Sequence, residues 1–135
     1  MTRIALASLA GFATYFVLGG VFFGALPAMR AEFAKYPAIY RPADAIKRVM
    51  PVGMLAMLVA IGALAVLYDR FYRGGSCAVA GAEFGALVGV YALGSFVIHN
   101  HVNLNIGGKL TIFQAIAYFI EWVATGLAIG VVHGG

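Results

Sequence analysis

The chain has 135 residues, of which 63% are hydrophobic and only 10% charged, against about 25% charged in ordinary soluble domains. A water-soluble domain of this size cannot hide so much apolar side chain, because too much of its surface stays wet; the mean hydropathy of +0.95 therefore points to lipid as the remaining solvent. The net charge of +4 sits in the connectors between apolar runs, where headgroups account for it, so it carries no nucleic-acid signal.

The first predicted element is the charge-free run Ile4–Leu26, which at about 34 Å crosses a hydrocarbon core of about 30 Å. It exceeds the roughly 7–15 residues of a signal-peptide core and no A-x-A-like site follows it, so a retained helix is expected. Gly11, Gly19, Gly20 and Gly24 allow close helix approach in lipid, where packing drives association. Pro27 ends the run.

The connector from Pro27 to Met50 holds Arg30, Glu32, Lys35, Arg41, Asp44, Lys47 and Arg48, and is broken by Pro37 and Pro42. Its stretch MRAEFAKY reads equally as a solvated loop or as a short interfacial helix anchored in the headgroups by Phe33, Tyr36 and Tyr40. The second long helix is expected over about 51–68, with Pro51 at its tolerated first position. Its methionines Met54 and Met57 read as packing residues. The connector DRFYRGGS is short, which predicts antiparallel neighbours.

A third helix is expected over about 77–98. Gly81, Gly85 and Gly89 recur at every fourth position and predict a close-packing ridge. Cys77 is the only cysteine, so no internal disulfide exists, and it reads as a packing residue. Glu83 is expected to pair with Arg73 or Arg70, or to snorkel to the interface. The polar connector that follows crowds His99, Asn100, His101, Asn103 and Asn105 at one membrane edge. Metal sites want three or four ligands and His133 lies at the opposite edge, so no metal is expected there. The side chains are expected to satisfy backbone groups where the helix ends.

The fourth helix is expected over about 110–132. Glu121 falls near its middle, where an unpaired charge costs at least about 2.5–3.5 kcal/mol; the residue must face the bundle interior or carry a proton. Thr111, Gln114, Tyr118, Glu121 and Thr125 follow at spacings of three and four, which aligns them on one helical face. Antiparallel geometry places Glu121 level with Gly89, which would leave room for the carboxyl, and with Tyr91 as a donor. Thr14 and Tyr15 reach the same depth from the first helix. Two readings of Glu121 stay open: a hydrogen-bonded clamp between helices, or a proton, cation or catalytic site.

No nucleotide loop, C-x-x-C, H-E-x-x-H or nucleophile elbow occurs, and only Glu83 and Glu121 lie at membrane depth. The sequence therefore predicts an all-α, integral membrane four-helix bundle, one domain over residues 1–135, with no cofactor. Arg3, Arg70 and Arg73 flank one side, whereas Arg30, Lys35, Arg41, Lys47, Arg48 and Lys109 flank the other, which favours both termini outside. The functional expectation is a transport- or channel-type subunit acting as a homo-oligomer. The alternative is an accessory or assembly subunit of a larger membrane complex, and a membrane enzyme ranks third.

The last third of the chain resembles a group of small four-helix bacterial membrane proteins filed as domains of unknown function. The likeness rests on Gly85 and Gly89, then Asn103 and Asn105, then Glu121, Trp122 and Gly126. The chain departs from it at His99-Asn100-His101, where an acidic or Thr-containing junction is expected. The resemblance implies four helices in a bacterial cytoplasmic membrane and brings no activity with it.

Overall fold

A computed structural model describes all residues, Met1–Gly135. Every regular element is helical. Four helices are long and apolar enough to cross a bilayer: α1 (Thr2–Ala25), α3 (Ala43–Phe71), α4 (Cys77–Asn103) and α5 (Gly108–Gly134). A short helix, α2 (Pro27–Phe33), lies between the first two, with Pro27 in its first turn.

Two boundaries differ from the sequence reading. Helix α3 begins at Ala43 and not near residue 51, so Pro51 lies inside it. The segment ahead of Pro51 is rich in helix formers, and Asp44 in the first turn complements the helix dipole; the basic pair Lys47 and Arg48 therefore extends a helix and is not loop. Helix α4 continues through His99–Asn103, because the Asn103 amide donates to the His99 carbonyl at 2.9 Å and closes the last turn.

Helix α5 is the centre of the bundle, packing on α4 along one side and on α1 along the other, while α3 reaches the bundle through α1. The α4–α5 seam is a meeting of two glycine ridges. A Cβ on Gly81 would fall 2.9 Å from the Gly130 Cα, and one on Gly85 would fall 2.9 Å from the Val123 Cα. Gly126, Gly130 and Gly134 in turn face Gly81, Gly85 and Cys77. Helices α1 and α5 are antiparallel, in a register that sets Gly11 on Ile129 and Gly19 on Glu121.

The expectation that α3 and α4 pack as neighbours holds only beside their turn. There Gly74 and Gly75 take positive φ values of 96° and 90°, which glycine adopts without steric cost. Tyr68 donates to the Cys77 carbonyl at 2.9 Å and its ring meets Phe84 edge-on. Beyond this the two helices diverge. The glycine face of α4 is already committed to α5, and α3 offers no matching ridge.

The core is two clusters, one at each end. Ala7, Ile61, Ala65, Tyr68 and Ile129 form the first, and Met29, Ile106, Leu110 and Ala117 the second. The second cluster shows what α2 does. Its residues Met29 and Glu32 are buried, Phe33 packs on Phe23 and Tyr40, and the Tyr36 hydroxyl accepts from the Gly107 amide at 2.8 Å. The aromatics of this connector thus turn inward and clasp it to the α4–α5 junction.

Glu32 completes the clasp, with Lys35 Nζ at 2.7 Å and Lys109 Nζ at 3.1 Å. The two ammonium groups hold its carboxyl below its ordinary value of 4.5. A lowered folded-state value means a contribution that is complete above about pH 4.5 and lost as pH falls through the lowered value. The Gly107 amide and its neighbours should therefore lose hydrogen-exchange protection on acidification. Glu32→Gln should show the acid-state protection at every pH; a variant with the wild-type profile would remove Glu32 from this role.

Candidate functional site: a sealed carboxyl between two helices

Helix α5 carries most of the buried polar side chains. Thr111, Gln114, Glu121 and Thr125 are all buried, Glu121 with 0% and Thr125 with 1% exposure, and Tyr118 is half-buried on the same face. The end and the centre of the stripe have different fates. Thr111 at the upper end is satisfied by the Gly107 carbonyl at 3.3 Å and shares a hydrogen bond with His101 Nδ1 at 2.8 Å. At the centre, both oxygens of Glu121 and the hydroxyl of Thr125 have no hydrogen-bond partner.

Room for the carboxyl comes from α1. A Cβ on Gly19 would lie 2.9 Å from Glu121 Oε1, so only glycine fits there without displacing the acid. This corrects the expectation that Gly89 makes the space: Gly89 instead receives the ring of Phe119, 2.9 Å from where its Cβ would be. Tyr91 also differs from expectation. It is 73% exposed on the outer side of α4 and makes no hydrogen bond to Glu121. The physical reason is rotational: the α4-facing side of α5 is filled by glycine backbone, which leaves Glu121 directed at α1.

Two tyrosines flank the acid. Tyr15 packs on Trp122 with ring centroids 5.0 Å apart. Tyr118 is held between Phe23 at 4.9 Å and Phe96 at 5.4 Å. Phe23 and Phe96 stand on π-helical stretches, Gly20–Ala25 of α1 and Leu93–Ile98 of α4. Such widened turns occur disproportionately at functional sites and can shift register locally. The first begins one residue after Gly19, so the wall facing the carboxyl is next to the least regular part of α1.

The polar residues between the last two long helices do not converge. His99, His101, Asn103 and Asn105 are exposed, and Asn100 is half-buried; helical geometry turns His99 and His101 to different faces. No three His, Cys, Asp or Glu side chains come together as metal ligands. Glu83 is exposed and forms no ion pair, since Arg73 donates to the Arg70 carbonyl and covers Phe71. Two constellations escape sequence reasoning. One is the Glu32 clasp. The other joins His133 to Asp69 at 2.8 Å, with the imidazole set edge-on to Tyr68 and Tyr72. The Glu32–Lys109 and His133–Asp69 pairs join residues far apart in the chain, which no local spacing marks, whereas Lys35 stands at helical spacing from Glu32.

Fold and site together define a small all-helical protein with four helices able to cross a membrane and one carboxyl sealed without a partner at their centre. No protein-family profile, curated protein or solved structure matches the chain.

Proposed function

We propose that the four long helices sit in a bacterial cytoplasmic membrane and that the protein is a transport- or channel-type subunit in which Glu121 takes up and releases a proton near mid-membrane. The apolar outer faces support insertion: Val52, Leu55 and Val59 of α3 and Leu87 and Val90 of α4 are all exposed, more than a soluble monomer tolerates as contiguous surface. The Lys- and Arg-rich clasp side is the cytoplasmic one by the positive-inside rule.

The observation that carries the reading is the missing partner. A buried acid that clamps helices is hydrogen-bonded, whereas neither oxygen of Glu121 meets a donor from the protein. A polar group kept in that state costs stability and marks function more often than architecture.

An accessory role is the second reading, and Glu83 favours it. That carboxylate lies on the outward face of α4 among exposed Val79 and Leu87, a place that a cationic residue of a neighbouring subunit would complete. Cross-linking from position 83 distinguishes a second copy from another protein.

Proteoliposomes loaded with a pH dye test the proton role. Under an imposed potassium diffusion potential, wild type should carry protons. Glu121→Gln should slow the flux at least about tenfold, a barrier increase of about 1.4 kcal/mol. Equal flux through both proteins rejects the proposal. In infrared difference spectra, the protonated carboxyl band should respond to pH in wild type and be missing from Glu121→Gln.

A further inference from the structure

We infer that the cleft between α3 and α4 binds a lipophilic organic cation, held by the aromatic faces of Tyr15, Tyr118 and Trp122 with the Glu121 carboxylate behind them. The cleft follows from the divergence of the two helices. It encloses about 530 Å³, with Met57 and Leu64 on the α3 wall and Val88 on the α4 wall, within the usual range of small-molecule pockets.

Its chemistry is one-sided. No Lys, Arg or His lines it, so an anion finds no partner. On the α4 wall the Ser95 hydroxyl is used on the Tyr91 carbonyl at 2.7 Å, and Tyr91 itself stands at the cleft mouth. A neutral apolar molecule competes with lipid tails on equal terms. A cation gains twice: aromatic rings attract it through their quadrupoles, and Glu121, next in the chain to the lining residue Trp122 though not itself part of the lining, is unpaired. Tyr15 and Tyr118 both border the cleft, and each lies one helical turn from the acid's own surroundings, Tyr15 from the Gly19 that faces Glu121 and Tyr118 from Glu121 itself, so the acid lies beside the cage wall. The cleft opens sideways between apolar helix faces, which requires a ligand that dissolves in the bilayer, such as a quaternary ammonium or phosphonium ion with apolar substituents.

The inference rests on the proposed function in one respect: Glu121 must ionise. Binding then exchanges charges, the cation entering as the proton leaves the carboxyl. The titratable groups around it are Tyr15 from α1 and Tyr118 from its own helix; α4 contributes Tyr91 at the cleft mouth and α3 contributes none.

Trp122 is the only tryptophan, so its fluorescence reports the cleft directly. The full chain in detergent micelles is titrated with tetraphenylphosphonium, and in parallel with neutral triphenylphosphine oxide. Saturable quenching by the cation, with acidification of a weakly buffered solution, is expected. Glu121→Gln should raise the apparent Kd at least about tenfold, and Val88→Phe, which fills the cleft and leaves the acid in place, should abolish quenching. Glu83→Gln should match wild type. Equal binding of the neutral compound, or equal affinity in Glu121→Gln, overturns the inference. A pH-responsive infrared band from Glu121 without cation binding overturns the inference alone; cation binding that ignores Glu121, without that band, overturns the proton role as well.

Discussion

Gly126→Ala is expected to separate α4 from α5 and cost at least about 3 kcal/mol, the upper end of overpacking penalties. Those penalties are measured where side chains can yield. Here a new Cβ at position 126 would stand 2.5 Å from the Gly85 Cα and nitrogen and still closer to the Gly81 carbonyl, so backbone itself must retreat. The seam is glycine on both sides, and the helices cannot open at one turn without losing contact at the next. Folded domains hold only about 5–15 kcal/mol in total. Gly53→Ala is the control. Nothing lies within 4 Å of a Cβ there, and removing a helical glycine should stabilise by up to about 1 kcal/mol. Thermal unfolding in micelles reads both; shifts of the same sign would contradict this account of the seam.

Glu121→Met is expected to make the protein more stable, by about 1–3 kcal/mol, the cost of a buried polar group left unpaired. Methionine is similar in length, flexible enough to fit against Gly19 and free of polar demand. No hydrogen bond is lost, because none is made. The sign is what matters. A clamp residue would destabilise the fold when replaced by methionine. A functional acid held at a cost would stabilise it and lose proton flux. Glu121→Lys should fail to fold, since it forces a longer cationic side chain into the space that Gly19 leaves for a carboxyl, with no carboxylate there to pair it.

Some of this was legible in the chain. Four long apolar runs and one acid on the polar stripe of the last of them can be read from periodicity alone. The spacing 81, 85, 89 marks a ridge on α4, although its counterpart at 126, 130 and 134 gains meaning only when the two meet. The extension of α3 ahead of Pro51 was masked by charge, because the apolar run ends there and helix formation does not. The Glu32–Lys109 and His133–Asp69 pairs were illegible for a different reason: each joins distant segments at the bundle ends.

The amino-acid pattern by itself determined the helices, their apolar surfaces and the inward position of Glu121, since a period of 3.6 fixes which residues share a face. Only the tertiary structure decided which neighbour that face meets. Rotation and register between helices depend on the sum of many small van der Waals contacts, and the tightest glycine fit takes precedence. Because α4 and α5 lock ridge to ridge, Glu121 is turned toward Gly19, Tyr91 is turned outward, and α3 stands apart from α4 with the aromatic cleft between them.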